Sequence, residues 1–384
     1  MISITMRNFI KTLFLRRVFN MKKRLMALLL TVVMATTMLA GCGGGGDDTV
    51  KATVFWYDEA DVYLSSVRAE LNKELEAAGI EYDNQFAAVD QTKQIDQIKT
   101  AIANGSDLLI VNIVTSGAPD TAEDILKAAG DIPVIFFNRA IGTNGSDVQV
   151  LNGYKNTCFI GTDAPEAGHM QGKMVGEYVV ANFDTIDLNG DGVISYAMMK
   201  GQEGNVEAEY RTQYGVEDAN AILKEAGKAE LKYFDESNKD CYQVDLDGAW
   251  SAKAAKEYMD TNLVTYNTNK NNMIELVICN NDGMAEGVVA SLQANQFNIE
   301  GQHVVPVFGV DATAAAVALI EEGAMIGTVK QDANGMAVSI AQTAKAILDG
   351  KTPVEALASL TDERFSIASD CNSKLYVAYA PYTK

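Results

Sequence analysis

The fold follows from one apolar segment in the first third of the chain, Asp107-Leu108-Leu109-Ile110-Val111-Asn112-Ile113-Val114. Its apolar residues are consecutive rather than alternating, and the segment has the length of a single strand. A strand that is covered by helices on both sides needs apolar side chains on both of its faces. The segment therefore predicts a strand of a parallel sheet that is buried on both faces.

The same pattern recurs along the chain. Strand-like apolar runs lie at residues 53–56, 132–137, 159–160, 274–279 and 304–310, with amphipathic helical segments between them. One such helix carries Leu64, Val67, Leu71 and Leu75 on one face and ends near Gly79. This alternation predicts an α/β fold with mostly parallel sheets. Because 384 residues exceed one such sheet, we expect two Rossmann-like lobes.

The composition excludes several classes of function. The chain has 51 acidic and 31 basic residues, a formal charge of −20, which argues against a nucleic-acid partner. Only two histidines occur, His169 and His303, so His-rich metal sites and Ser–His or Cys–His catalysis are not expected. Among the cysteines, Cys158 and Cys279 lie in strand-like runs and are expected to be buried thiols.

The N-terminal residues predict export. Residues 1–41 have seven Lys or Arg and no acidic residue, and their apolar run at 26–40 is too short to span a bilayer. We interpret them as a signal peptide, with Met21 as an alternative start because Met21-Lys22-Lys23-Arg24 already supplies the charged region.

Leu39-Ala40-Gly41-Cys42 resembles a bacterial lipobox. We therefore expect Cys42 to be lipidated and residues 42–49 to be a Gly-rich tether. The protein would then be anchored to the outer face of the cell membrane, or be periplasmic, and would contact the membrane only through the lipid.

Polar residues follow several of the predicted strands. Asn138 follows residues 134–137, Asn280-Asn281-Asp282 follows residues 277–279, and Asp311 follows residues 308–310. Ligands of open α/β sheets bind at the carboxyl ends of the strands. Amide and carboxylate groups together can donate to and accept from hydroxyls, so a hydroxyl-rich ligand is predicted. Each residue taken alone is also compatible with a helix N-cap.

A second motif predicts a calcium site. The segment is Asp187-Leu188-Asn189-Gly190-Asp191-Gly192-Val193-Ile194-Ser195, which matches the first nine positions of an EF-hand loop. The twelfth position is Met198 instead of the bidentate Glu of an EF-hand. Another carboxylate from elsewhere in the chain must therefore complete the site.

Together these features resemble one family, the bacterial galactose/glucose-binding proteins of sugar ABC transporters, which have the type I periplasmic-binding-protein fold. The resemblance covers residues 51–384. It rests on the calcium loop and on Val134-Ile135-Phe136-Phe137-Asn138, Gly161-Thr162-Asp163, Lys200-Gly201, Ala208-Glu209, Arg211-Thr212, Asn280-Asn281-Asp282, Val307-Phe308-Gly309-Val310-Asp311 and Gly327-Thr328-Val329.

The resemblance implies a domain organisation with two lobes joined by three hinge crossovers. The N-terminal lobe would comprise residues 50–162 and 332–376. The C-terminal lobe would comprise residues 163–331 and 377–384 and would carry the calcium loop. The hinges would lie near residues 161–163, 332–334 and 377–381.

The resemblance also implies a sugar pocket. Its residues would be Asp61, Tyr63, Asn138, Asn205, Glu207, Arg211, Trp250, Asn281, Asp311 and Gln331. Trp250 and Tyr63 would sandwich the sugar ring, and the polar residues would bind its hydroxyls. Asn205, Glu207 and Gln331 depart from the His, Asp and Asn of the family, and Tyr63 replaces Phe. Galactose or glucose is expected, with another monosaccharide as the alternative.

The calcium site implied by the resemblance is structural. Ca²⁺ would be bound by Asp187, Asn189, Asp191, the carbonyl of Val193, Ser195 and the distant Glu275, which supplies the missing bidentate carboxylate. Ser195 is shorter than the usual Gln, so its contact would run through water.

The expected function is therefore that of a monomeric binding protein which takes up a monosaccharide, closes on it and delivers it to an ABC permease. One alternative is a sugar-sensing lipoprotein that acts with a chemoreceptor or a sensor kinase. Another is a glycoside hydrolase, which needs a pair of carboxyl groups. Two of Asp61, Glu207 and Asp311 could provide such a pair. Nothing else in the sequence supports hydrolysis, so we do not expect an enzyme.

Overall fold

The computed structural model describes residues 50–384. The predictions made for the signal peptide, for lipidation at Cys42 and for the tether at residues 42–49 lie outside this range. Within it, no helix combines the length and the apolar character needed to cross a membrane.

Strands and helices alternate through the described chain. The strands are β1 (Lys51–Trp56), β2 (Glu81–Phe86), β3 (Leu108–Val111), β4 (Val134–Phe137), β5 (Thr157–Gly161), β6 (Ser195–Lys200), β7 (Lys232–Tyr233), β8 (Gln243–Val244), β9 (Leu276–Cys279), β10 (Val307–Asp311), β11 (Gly327–Gln331), β12 (Phe365–Ile367), β13 (Lys374–Val377) and β14 (Tyr379–Thr383). The helices are α1 (Val62–Ala77), α2 (Gln91–Ala103), α3 (Pro119–Ala129), α4 (Ser146–Gly153), α5 (Ala164–Ile186), α6 (Val206–Glu225), α7 (Ala252–Thr265), α8 (Asp282–Ala294), α9 (Ala314–Glu322), α10 (Ala333–Leu348) and α11 (Pro353–Ala358).

The strands form two sheets, each the centre of one lobe. The first has the order β12-β13-β5-β4-β3-β1-β2, and the second has the order β14-β11-β10-β9-β6-β7 with β8 also paired to β6. The segment that predicted the fold provides β3, which is buried along its whole length. Its Ile110 lies between Val54 of β1 and Ile135 of β4, and both pairings are parallel.

Both sheets are mostly parallel, as predicted, and the exceptions are edge strands. β12 pairs antiparallel with β13, and β14 pairs antiparallel with β11, so each sheet has one antiparallel edge strand. A short connection allows only antiparallel pairing, because a parallel neighbour needs a crossover of a dozen or more residues. The six residues between β12 and β13 leave no room for such a crossover.

Helices cover both faces of each sheet, as the continuous apolar strands require. On the first sheet, Leu71 of α1 and Ile340 of α10 pack on one face, and Ile98 of α2 and Ile125 of α3 pack on the other. The second sheet has two corresponding clusters. Cys158 and Cys279 are buried free thiols.

The chain passes from one sheet to the other at three points, between β5 and α5, between β11 and α10, and between β13 and β14. These crossovers lie side by side and are cross-linked. The hydroxyls of Thr162 and Tyr379 are 2.8 Å apart, and Arg364 Nη1 donates to Asp332 Oδ2 at 3.0 Å.

Glycines let α5 lie directly on α6. An ideal Cβ placed on Gly168 would lie 2.4 Å from the carbonyl oxygen of Tyr210, and one on Gly172 would lie 2.3 Å from that of Tyr214. Both distances are far below a van der Waals contact. The spacing of four residues places the two glycines on one face of α5.

We expect Gly172→Ala to lower the free energy of unfolding by about 1–3 kcal/mol, the usual cost of overpacking. The measurement is urea denaturation of the sugar-free protein. Gly153→Ala is the control, because an ideal Cβ on that helical glycine meets no atom within 4 Å. Equal stability of the two variants would contradict the packing of α5 on α6.

Candidate functional site

A cavity of about 360 Å³ lies between the lobes, where the carboxyl ends of the strands of both sheets meet. Side chains from both lobes line it. They are Tyr57, Asp61, Tyr63, Asn138, Arg139, Asn205, Glu207, Arg211, Trp250, Asn281, Asp311 and Gln331.

The cavity, called the cleft below, brings together all ten residues that the sequence placed in a sugar pocket. Two further residues, Tyr57 and Arg139, line it as well. Each follows the end of a strand, Tyr57 directly after β1 and Arg139 two residues after β4. Their positions at strand ends could have indicated them, but neither is an amide or a carboxylate, the side-chain types from which the hydroxyl-rich ligand was predicted.

Three of the cleft residues also cap helices. Asp61 Oδ1 accepts from Leu64 N at 2.8 Å at the start of α1. Asn205 Oδ1 accepts from Ala208 N at 3.0 Å and Asn281 Oδ1 accepts from Met284 N at 2.9 Å. Asn281 therefore both caps a helix and lines the cleft. Three positive helix ends point towards the cleft, where they favour electronegative ligand atoms.

Unusual backbone conformations position other cleft residues. Asn138 has φ 60°, Trp250 has φ 56° and Asp311 has φ 131°, in the region that non-glycine residues seldom adopt. Such conformations persist only where the surroundings hold them, and they are concentrated at functional sites. For Asn138 the support is the buried Asn112, whose Nδ2 donates to Asn138 Oδ1 at 3.1 Å and to the carbonyl of Phe137.

The ring of Trp250 rests on a glycine. An ideal Cβ on Gly201 would lie 2.1 Å from ring atoms of Trp250, so only glycine leaves room for the indole at this position. The contact with Trp250 therefore explains the glycine of the Lys200-Gly201 motif. It places an aromatic face in the cleft, where it can pack on the C–H groups of a ligand.

The guanidinium of Arg211 is buried and held by three acceptors. Nη1 donates to the carbonyl of Asn280 at 2.8 Å, and Nη2 donates to Gln331 Oε1 at 3.1 Å and to Tyr379 Oη at 3.2 Å. Its Nε has no hydrogen-bond partner within residues 50–384. Arg211 is thus fixed in place and keeps one donor for a ligand.

On the opposite wall, Asp61 is held by Tyr57, whose hydroxyl donates to Asp61 Oδ2 at 2.7 Å. The guanidinium of Arg139 lies over the Tyr57 ring, 4.0 Å from its centre. Burial raises the pKa of Asp61, and the hydrogen bonds from Leu64 N–H and Tyr57 oppose this rise. Each carboxylate oxygen accepts one hydrogen bond here and can accept a second from a ligand.

Asp311 is the second buried carboxylate of the cleft. Burial raises its pKa well above the usual value of an aspartate, although the nearby Arg211 lowers it. The cleft thus holds three acidic residues and two arginines. This near balance suits an uncharged polar ligand better than an anion or a cation.

Unpaired polar atoms distinguish the cleft from the rest of the described chain. Within residues 50–384, eleven buried side-chain nitrogen or oxygen atoms lack a hydrogen-bond partner, and five of them line the cleft. They are Tyr63 Oη, Arg139 Nε, Arg211 Nε, Trp250 Nε1 and Gln331 Nε2. A buried donor left unpaired costs about 1–3 kcal/mol, so these atoms require a polar partner.

A larger surface groove of about 1020 Å³ lies between β1, β2 and α2. Only one of the eleven unpaired atoms of the described chain, Gln97 Oε1, belongs to a residue that lines it. The cleft is therefore the better candidate for a polar ligand, despite its smaller volume.

Glu207 is placed differently from the other predicted residues. Its Oε1 accepts from Ala140 N at 3.2 Å and its Oε2 accepts from Ser116 Oγ at 3.4 Å, and both donors belong to the first lobe. Oε1 therefore accepts across the cleft from a backbone N–H, whereas Oε2 and the carbonyl of Ala140 compete for the single hydroxyl proton of Ser116.

The predicted calcium loop lies against Glu275, the carboxylate that the family resemblance implies for this site. Glu275 Oε1 accepts from Asn189 N and Oε2 accepts from Ser195 N, each at 2.8 Å. Asp187 Oδ1 accepts from Gly190 N at 2.7 Å. The carboxylates of Glu275 and Asp187 thus accept hydrogen bonds from backbone N–H groups of the loop and hold the loop closed.

Two of the expected calcium ligands form hydrogen bonds with the backbone of Met273. The Asn189 side chain forms two hydrogen bonds with the backbone of Met273, at 2.7 and 3.0 Å, and Ser195 Oγ donates to the Met273 carbonyl at 2.6 Å. Across residues 50–384, no three His, Cys, Asp or Glu side chains are placed so that they could hold a metal ion together. The donor types fit Ca²⁺, and Asn189 Oδ1 and Ser195 Oγ each keep a lone pair while they are hydrogen-bonded to Met273.

Comparison with known proteins identifies relatives over most of the chain. The family description "Periplasmic binding protein domain" matches residues 52–352. The D-galactose/methyl-galactoside binding periplasmic protein MglB of Haemophilus influenzae is 33% identical over 311 residues, which are 80% of this chain and 83% of that protein.

Solved structures show the same architecture. An ABC transporter solute binding protein from Bacillus halodurans with bound myo-inositol has a TM-score of 0.63 and 21% identity, and the match covers 88% of this chain and 96% of that one. Another from Clostridium phytofermentans with bound β-D-glucose has a TM-score of 0.62 and 19% identity, covering 86% and 93%. At these identities the likeness shows the fold alone.

These findings confirm the predicted two-lobed α/β fold of the type I periplasmic binding proteins and the prediction that the chain is not an enzyme. The description of the family as periplasmic implies an extracytoplasmic location. With a family match over residues 52–352 and 33% identity to MglB, this chain belongs to the periplasmic binding protein domain family.

Proposed function

We propose that this protein binds a monosaccharide in the cleft, closes on it and delivers it to an ABC permease. The observation that carries the proposal is the set of five unpaired buried polar atoms in one cavity of about 360 Å³. The name of the Haemophilus influenzae relative and the description of the Bacillus halodurans neighbour as an ABC transporter protein support it.

The chemistry of the cleft favours a neutral, hydroxyl-rich ligand. Arg211, Trp250 and Gln331 offer donors, whereas Asp61 and Asp311 offer acceptors. A sugar hydroxyl can both donate and accept, so it satisfies both kinds of group. The aromatic faces of Trp250 and Tyr63 suit the C–H groups of a pyranose ring.

Galactose or glucose is the proposed ligand. Support comes from the D-galactose in the name of MglB and from the match of Asp61, Asn138, Arg211 and Asp311 to the residues that the family resemblance implies. Asn205, Glu207 and Gln331 differ from that pattern. Because one methylene in a pocket changes discrimination by only about 1–3 kcal/mol, another monosaccharide is the alternative.

Closure follows from the distribution of the cleft residues over both lobes. Asp61, Tyr63 and Asn138 belong to elements of the first sheet, whereas Arg211 and Asp311 belong to those of the second. A ligand that contacts both sets stabilises the closed conformation. The closed surface would be recognised by the permease or, as an alternative, by a chemoreceptor or sensor kinase. Lipid attachment at Cys42 is part of this proposal and is supported by the lipobox resemblance alone.

Structural calcium binding at residues 187–195 is also part of the proposal. Its support is the EF-hand spacing and the position of Glu275 against the loop. The ion would hold the loop against Glu275 and the nearby Met273, remote from the sugar.

We expect Asp61→Asn to weaken sugar binding at least tenfold, which corresponds to about 1.4 kcal/mol. Asn retains the helix N-cap, so the loss reports on the carboxylate and not on α1. The measurement is calorimetric titration with the sugar that a thermal-shift panel of monosaccharides selects. Asp90→Asn is the matched control, because Asp90 caps α2 in the same lobe outside the cleft.

A millimolar concentration of a micromolar ligand should stabilise the wild-type protein by about 4 kcal/mol. No thermal shift with any monosaccharide would contradict the proposed function. Near-native affinity in Asp61→Asn would contradict the assignment of the cleft as the sugar pocket.

Intrinsic fluorescence separates the cleft tryptophan from the core tryptophan. The chain has two tryptophans, Trp250 in the cleft and Trp56, which is fully buried in the first lobe. We expect sugar to change the emission of the wild type and of Trp56→Phe, but not that of Trp250→Phe, because only the indole of Trp250 would touch the sugar. A signal that persists in Trp250→Phe would show that sugar does not contact this ring.

Calcium binding is tested by melting the protein with Ca²⁺ and with a chelator. We expect Ca²⁺ to raise the melting temperature of the wild type, and Glu275→Gln to abolish the rise because it removes a bidentate carboxylate. Asp184→Asn is the control, since Asp184 lies beside the loop on the last turn of α5 and its side chain is 98% exposed. Identical melting with Ca²⁺ and with chelator would show that the hydrogen bonds to Met273 and Glu275 close the loop without metal.

A further inference from the structure

Two side chains of the second lobe form hydrogen bonds directly to the first lobe. Glu207 at the start of α6 accepts from Ala140 N and from Ser116 Oγ, at 3.2 and 3.4 Å. Gln202, in the loop between β6 and α6, accepts from Arg139 Nη2 at 2.5 Å. These contacts join the lobes without any ligand between them.

The surroundings fit these contacts closely. Gly117 has φ 74°, and an ideal Cβ on it would lie 3.0 Å from Cγ2 of Val206, so the two lobes meet here at van der Waals distance. An ideal Cβ on Gly248 would lie 2.9 Å from the side-chain amide of Gln202, so this glycine leaves space for that side chain. Val206 and Glu207 are both buried by this approach.

We infer that Gln202 and Glu207 form an interlobe latch with Ser116, Arg139 and Ala140 that favours the closed conformation before sugar binds. Glu207 then acts on sugar affinity through closure rather than as a sugar ligand. The inference rests on the proposed function for its effect on sugar binding, but the latch itself is a property of the sugar-free protein.

The hydrogen bonds to the two carboxylate oxygens of Glu207 define its role in the latch. The hydrogen-bond donors of Glu207, unlike those of Asp61, belong to the opposite lobe, so the position of its carboxylate depends on closure. Its contacts are made only when the lobes are together, because Ser116 and Ala140 belong to the other lobe. Such contacts lower the free energy of the closed form alone, and they therefore shift the equilibrium between open and closed forms.

Loss of the latch and loss of a sugar contact change the affinity for sugars in different ways. When only the closed form binds sugar tightly, the apparent Kd equals the intrinsic Kd divided by the closed fraction. Loss of the latch therefore weakens every sugar by the same factor. Loss of a sugar contact instead changes the ratio between sugars that differ at the contacted hydroxyl.

The test uses Glu207→Ala and Gln202→Ala in the full-length protein. We expect each to raise the Kd of every sugar that the wild type binds by a common factor of about 3 to 30, the range for one or two hydrogen bonds. Small-angle X-ray scattering of the sugar-free variants should show a larger radius of gyration than that of the wild type. Gln202→Ala leaves α6 untouched, so it serves if Glu207→Ala does not fold.

Glu217→Ala is the matched control. Glu217 lies on the same helix, is exposed, and within the described chain accepts only from Gln213 of its own lobe. We expect its Kd values and its scattering to equal those of the wild type.

Two results would overturn the inference. One is a Glu207→Ala variant that changes the ratio of Kd values between a sugar and its deoxy analogues, which would make Glu207 a sugar ligand. The other is an unchanged radius of gyration in both sugar-free latch variants. If no sugar binds the wild type, the proposed function fails, but the scattering comparison still decides the latch.

Discussion

The buried guanidinium of Arg211 connects the cleft to all three crossovers between the lobes. It donates to Gln331 at the second crossover and to Tyr379 at the third, and the hydroxyl of Tyr379 lies 2.8 Å from that of Thr162 at the first. A buried charge is tolerated only when its surroundings supply acceptors, and here the crossovers supply them. The residue lines the cleft, and its Nε has no hydrogen-bond partner within residues 50–384. The same side chain thus connects the three crossovers and offers a donor to the proposed ligand.

The cleft reuses ordinary structural devices of an α/β fold. Asp61, Asn205 and Asn281 satisfy the first N–H groups of α1, α6 and α8, which any helix requires. Because these helices start at the carboxyl ends of strands, the capping groups collect between the two sheets. Within residues 50–384 the same geometry leaves five buried polar atoms of the cleft unpaired, and the proposed ligand would supply their partners.

Glu207 and the calcium loop illustrate the same physical point. Glu207 has the chemistry of a sugar ligand, yet its oxygens are engaged by Ser116 and Ala140. Asn189 and Ser195 have the chemistry of calcium ligands, yet Met273 engages them. Residue type and spacing define which groups a side chain can bind, whereas its neighbours determine the hydrogen bonds that it makes in the folded chain.

The sequence by itself determined the buried strand at Leu108–Val111, the helices with one apolar face and the polar residues at the strand ends, because these depend on periodicities within a few residues. It also identified ten of the twelve cleft residues through the family resemblance. Only the tertiary structure revealed the antiparallel pairing of β14 with the distant β11 and the hydrogen bonds of Glu207 to the opposite lobe. These depend on partners that are distant in the chain, such as Ser116 and Glu207 at a separation of 91 residues. No local pattern encodes such a contact, since it exists only once both lobes have folded and met.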